Sequence, residues 1–316
     1  MAIFSKSYDH FLGYALSGGG AKGFAHLGAL KVLEKCGLKP DIIAGTSAGS
    51  LAGVFYADGY HPDEIVELFH KKEFREFVEL TLPTSGFFKS TGLHNFLKRN
   101  LRAKSFEELQ IPFHVVTTDW ERASTVVFSN GDDLVDAVVA SCSVPIVFHP
   151  QMIHDVPYVD GGLLKNFPVS VIRKKCKYVI GVNVSLILPP PEKNNIRRML
   201  ERTFNLMSNS NTLVDKAYCD ILIETKGIEK YSMFDLQNQL KIMEAGYHYA
   251  VVKMSEEKSW EIVRKCHRHY ALTKKVREQL QRIRRHSEAA YPENPAISEN
   301  PAISENPNIS KNPNIQ

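Results

Sequence analysis

Two patterns of apolar positions alternate along roughly the first 225 residues. Short apolar runs at 14–17, 42–44, 113–118, 125–128, 178–184 and 220–224 read as strands. Between them apolar residues recur at helical spacing. One such stretch is 22–36, with Leu27, Leu30 and Leu33 on one side and Gly37 as its stop; others begin at Ala48 or cover 132–140 and 169–175. Most of the strand runs lack polar alternation, so both of their faces are expected to be buried. Buried strands alternating with helices predict an α/β fold, a mainly parallel sheet with helices on both faces.

Four stretches fit that rhythm less well. Residues 71–101 mix aromatics with Pro83, Gly86 and Gly92 and read as a packed loop, with a cap over a site as the alternative. Residues 195–216 and 234–254 are helical with apolar residues on more than one side; burial against the sheet is expected of both, with a subunit contact as the alternative. From Trp260 to Ile283 the helical spacing returns, and between Lys258 and His286 ten Lys or Arg face two Glu. That is a helix docked on the body with a solvated basic face, or a peripheral attachment surface for anionic lipid. The chain closes on four hexads, ENPAIS, ENPAIS, ENPNIS and KNPNIQ, too polar for a core and too few for a solenoid. One domain over 1–290 and a disordered tail over 291–316 are expected.

Composition changes this picture little. With 43% hydrophobic and 23% charged residues the chain is an ordinary globular one, and no apolar run is long enough to span a membrane. A net charge of +4 does not point to nucleic acid. Five scattered cysteines without a CxxC argue against a disulfide framework or a zinc site, and a cytoplasmic protein without metal or cofactor is expected. The pattern sets no oligomeric state.

Chemistry concentrates at three glycine-bearing strand ends. The first, SGGGAKG, contains Gly18-x-Gly20-x-x-Gly23 between a strand and a helix. A dinucleotide site would want an acid at the far end of the next strand, yet Asp41 begins that strand. Gly18, Gly19 and Gly20 can instead turn successive N–H groups toward one point at a helix N-terminus, a nest for an oxyanion, with Lys22 adding charge or bracing the loop. The second, Gly45-Thr46-Ser47-Ala48-Gly49, joins a strand to a helix as a nucleophile elbow does. Its competing reading is a cap, with Thr46 or Ser47 satisfying the first turn of the helix. The third, Asp160-Gly161-Gly162, puts an acid at a strand's carboxyl end. His248, His267, His269 and His286 lie late enough to serve as a base but fall in predicted helices, which makes Asp160 the better candidate.

These motifs in this order, together with ASCSVPIVFHP (140–150) ahead of the aspartate, resemble the patatin-like phospholipases, nearest their intracellular bacterial branch. The resemblance covers 14–184. It implies a Ser47–Asp160 dyad without histidine, an oxyanion hole from the glycine loop, supporting roles for Lys22, Gly45, Gly49, Gly161 and Gly162, and a lipid ester as substrate. Lys22 stands where the family often carries Arg, and Ser17 where Asp often precedes the glycines. A regulatory or adaptor protein on the same fold, working by binding a partner or membrane surface, is the alternative, and an enzyme for soluble esters or thioesters a third reading.

Overall fold

In the computed structural model residues 8–70, 72–77, 79–80, 86–187 and 195–290 are described. The hexad tail lies outside them. The chain divides into two compact units, Met1–Trp260 and Glu261–Gln316. Strand β1 (His10–Leu16) leads through a 3-10 turn (Gly20–Gly23) into α1 (Phe24–Lys35), and β2 (Ile42–Thr46) into α2 (Ala48–Ala57) and α3 (Pro62–Leu68). Next come β3 (Glu79–Leu80), β4 (Gly86–Lys89), α4 (Thr91–Asn100), β5 (Phe113–Asp119), β6 (Ser124–Phe128) and α5 (Leu134–Ser141). Three short strands, β7 (Ile146–Phe148), β8 (Gln151–Ile153) and β9 (Val156–Asp160), end in a second 3-10 turn at Gly161–Leu163. The chain continues with α6 (Val169–Arg173), β10 (Cys176–Asn183), α7 (Ile196–Lys216), β11 (Ile221–Glu224), α8 (Gln239–Met254) and α9 (Glu257–Ala290). Among the described residues no helix is long and apolar enough to cross a membrane.

The expected α/β class holds. Strands β11-β10-β1-β2-β5 run parallel and form the core of an eight-stranded sheet. Both faces are covered, as the lack of polar alternation requires. Ala15, Ile42 and Ala44 pack on Val169 and Ile172 of α6, while Ile43 and Phe113 approach Gly53 of α2 from the other side. β5 organises the edge. Its first half pairs in parallel with β2, ending at Thr46 opposite Val116. Its second half pairs antiparallel with β9, where Asp160 lies opposite Thr117. Since β6 holds the other side of β5 from Val115 to Asp119, across this switch, β2 and β9 lie end to end along one edge. Their carboxyl ends therefore meet at adjacent residues of β5.

Asp160 ends a strand, as expected, and that strand arrives on an antiparallel hairpin whose turn, His154-Asp155, takes positive φ at both residues (48° and 63°) without glycine. Two expectations need correction. Residues 71–101 are not a simple loop: their described part forms β3, β4 and α4, and β4 pairs with β7 in a separate three-stranded sheet. Helices α7 and α8 are not fully buried, and Ile196, Leu213 and Val214 of α7 and Leu240 and Val252 of α8 stand exposed.

Candidate active site

At the end of β2, Ser47 takes φ 52° and ψ −123°, a conformation that side chains rarely adopt and that a tight strand-to-helix turn imposes. Gly49 permits the turn, for a Cβ there would lie 2.2 Å from the Leu16 carbonyl oxygen at the end of β1. The strain is held from two sides. Ser47 N–H donates to Ser141 Oγ at 2.8 Å, and the Ser47 carbonyl accepts from Ser50 N–H at 2.8 Å and Ser50 Oγ at 2.6 Å. The capping alternative fails, because the Ser47 side chain makes no cap bond and Thr46 Oγ1 donates to the Lys165 carbonyl at 2.9 Å. The hydroxyl of Ser47 is left for other work.

Asp160 is fully buried beside it. Its Oδ1 accepts from Gly162 N–H at 2.7 Å, while Oδ2 has no partner at hydrogen-bond distance among the described residues. Burial drives its pKa up from 3.8 to about 7, against the opposing pull of the Ser47 hydroxyl and the Gly162 N–H. The serine is thus near enough to favour the carboxylate without closing a full bond, as is common in unliganded sites. Gly161 lets the chain pass close to β5; a Cβ there would meet the Val116 carbonyl oxygen at 2.3 Å. Among the described residues no histidine lines the cavity on which Ser47 opens.

The segment ahead of the aspartate does more than precede it. Ser141 Oγ accepts from Ser47 N–H and donates to the Val116 carbonyl at 2.7 Å, and the Ser143 carbonyl accepts from Asp160 N–H at 2.9 Å. One three-residue step therefore fixes both candidate residues. Sequence reasoning noticed this segment but missed those roles, because a serine's partner two strands away leaves no periodic trace. Cys142 between them is partly exposed on the wall of the cavity that Ser47 lines, and desolvation pushes its thiol pKa up.

The glycine loop is braced from behind. Ser17 Oγ donates to the Gly18 carbonyl and accepts from Val184 N–H at 2.9 Å, and His26 Nε2 bonds the Ser17 carbonyl at 2.8 Å. Burial lowers the His26 pKa to about 4, which keeps the ring neutral. Gly18 N–H donates to the Asn166 carbonyl and Ala21 N–H to the Met233 carbonyl. Gly18 is thereby spent, while the N–H groups of Gly19 and Gly20 meet no acceptor among the described residues. Lys22 does not reach Ser47: its ammonium lies 3.5 Å from the Tyr231 carbonyl, with its pKa lowered to about 8 by burial against the pull of Glu201 and Glu229. It braces the loop.

Gly20 and Ser47 share a cavity of about 150 Å³, measured as space open to the centres of water molecules. Its wall is almost wholly apolar, with Phe24, Leu51, Phe69, Phe77, Leu93 and Phe148 among the lining residues. Phe77 and Leu93 come from the region read as a packed loop, which here walls the site. A buried acid, a strained serine and free N–H groups at one end of an apolar cavity suit attack on an ester with a hydrocarbon arm.

Comparison with known proteins agrees with the residues. The family model for Patatin-like phospholipase matches residues 14–172. The rat (Rattus norvegicus) patatin-like phospholipase domain-containing protein 7 is 31% identical over 182 residues, covering 54% of this chain and 13% of that protein. Lysophospholipase NTE1 of Scheffersomyces stipitis is 30% identical, covering 55% and 12%, so the chain spans a small part of these relatives. The uncharacterized protein YqhO of Bacillus subtilis is 31% identical over 220 residues, covering 58% of this chain and 75% of its own. By its matched motifs and this shared extent, the chain belongs to the patatin-like phospholipase family.

Proposed function

We propose that this chain hydrolyses carboxylic esters of lipids through a Ser47–Asp160 dyad. Ser47 Oγ attacks the acyl carbonyl carbon as its proton passes to Asp160 Oδ2. The N–H groups of Gly19 and Gly20 stabilise the oxyanion of the tetrahedral intermediate. Collapse expels the alcohol, which takes the proton back from Asp160 and leaves an acyl-serine. Asp160 then deprotonates a water that attacks the acyl-serine, releasing the fatty acid and restoring Ser47.

The observation that carries this reading is the buried Asp160 carboxyl, with a pKa near 7 and an oxygen unpartnered beside the Ser47 hydroxyl. A carboxylate with an ordinary pKa near ~3.9 would be a poor base for a serine, and burial corrects that. The apolar cavity and the family support an acyl chain as the bound group, and a relative named a lysophospholipase supports a glycerophospholipid-type ester. Labelling with a fluorophosphonate, followed by peptide mass mapping, tests the dyad. A tag on Ser47, absent in Ser47→Ala and much slowed in Asp160→Asn, is expected. No tag on Ser47 at any pH would return the chain to the binding-protein reading.

A further inference from the structure

Helix α7 is amphipathic the wrong way round. Its inward face is polar and buried: Asn205, Ser208, Asn209, Thr212 and Asp215. Asn205, Asn209, Thr212 and Asp215 are committed, as is Asn211. Asn211 Nδ2 donates to the carbonyls of Gly162 (2.9 Å) and Leu163 (3.1 Å), and its Oδ1 accepts from Asn166 N–H (2.8 Å). Asp215 accepts from Ser170 N–H at 2.6 Å and Lys165 Nζ at 2.8 Å. The helix thus clamps the turn that follows Asp160, and it cannot roll without breaking that clamp. Its other face must then point outward. There Ile196, Met199, Leu206, Met207, Leu213 and Val214 recur at helical spacing, separated by Thr203 and Ser210. Ile196 is 87% exposed and Leu213 66%. The helix has 21 residues, so this apolar file extends over about 30 Å.

We propose that this face of α7 is the surface by which the protein lies on an anionic lipid layer, a proposal that rests on the lipid-ester reading of the site. The charges point to the occupant. The N-terminal third of α7 carries Arg197, Arg198 and Arg202 against Glu201 alone. Arginines at the positive end of a helix dipole oppose the helix, and an anionic surface offsets that cost. The apolar face itself bears no carboxylate, so nothing on it repels an anionic surface. A single file of side chains on a convex helix also matches a planar surface, as interfacial helices do. Continuity with the site agrees. Leu200 and Phe204 of the same helix pack on Val144 and Phe148 of the cavity wall, and the half-exposed Leu164 follows the clamped turn.

The test is co-flotation of the full chain with vesicles of phosphatidylcholine alone or mixed with phosphatidylglycerol, with Leu206→Glu/Leu213→Glu as the variant and the milder Met199→Ser/Val214→Ser beside it. Each is repeated on a Ser47→Ala background, where nothing is hydrolysed, and hydrolysis of a soluble short-chain ester is read in parallel. The wild type is expected to float with the mixed vesicles, and the glutamate variant to bind about tenfold or more weakly with soluble-ester turnover unchanged. A wild type that stays with the protein fraction, or glutamate and serine variants that float as well as wild type, would overturn the proposal. So would a wild-type dimer in sedimentation velocity that both variants dissociate, for then a second copy covers the face. Flotation as expected without any ester turnover would overturn the hydrolase reading and leave the docking surface standing.

Discussion

Replacing Asp160 with Asn should make the protein more stable and less active at once, and the structure sets the size of both effects. The carboxyl group is fully buried, and its pKa rises from 3.8 in water to about 7 in the fold. A raised carboxyl pKa means that the unfolded chain releases its proton first. Stability is therefore lost as pH climbs from about 4 to about 7, and the loss is complete above that. At about 1.36 kcal/mol per pH unit between the two values, the buried carboxylate costs the fold about 4 kcal/mol at pH 8. The Asn side chain has nearly the same shape, and its oxygen can still accept from Gly162 N–H. Asp160→Asn should thus unfold about 8 °C later than wild type at pH 8, at roughly 2 °C per kcal/mol for a chain of this size. The two proteins should converge near pH 4. Thermal unfolding by circular dichroism between pH 4 and 8 reads this directly. Because Asn cannot take the proton from Ser47, turnover should fall by about a thousandfold or more. Curves that stay parallel across this pH range would refute the raised pKa, and a variant with near-normal turnover would refute the base.

The same titration should appear in the rate. Log kcat/KM should rise with pH and level above about 7, and a limb near 4 would mean a base in an ordinary solvated environment. Ser47→Gly should unfold at higher urea than Ser47→Ala, by about 1 kcal/mol, because only glycine relieves the positive φ; equal midpoints would mean the elbow is unstrained. Ser141→Ala strands the Ser47 N–H and the Val116 carbonyl, costing about 1–3 kcal/mol and lowering kcat more than it raises KM. Unchanged kinetics in that variant would show that the elbow holds itself.

Much of the frame was legible in the residues. Continuous apolar runs such as IIAG and YVIGV announce strands buried on both faces, because polar groups on either face would lack water. Glycine clusters at strand ends marked where the backbone turns too tightly for side chains, and those turns hold Ser47 and Asp160. What could not be read locally is anything decided by a partner distant in sequence. The meeting of β2 and β9 depends on a register along β5, and the turn that makes β9 antiparallel uses His154-Asp155 where a glycine would have signalled it. The bonds of Ser141 and Ser143 to the two site residues, and the spending of Gly18 on Asn166, follow from the same contacts. The outward apolar face of α7 was hidden for a related reason. Helical spacing shows that a helix has two faces, but hydrogen bonds to the turn after Asp160 decide which one is buried. By itself, then, the sequence determined the α/β frame and the residue types at its turns, since burial and backbone sterics act within a few residues. Only the tertiary structure decided the pairings, the burial that sets the Asp160 pKa and the facing of α7, since these arise between groups that the chain brings together only on folding.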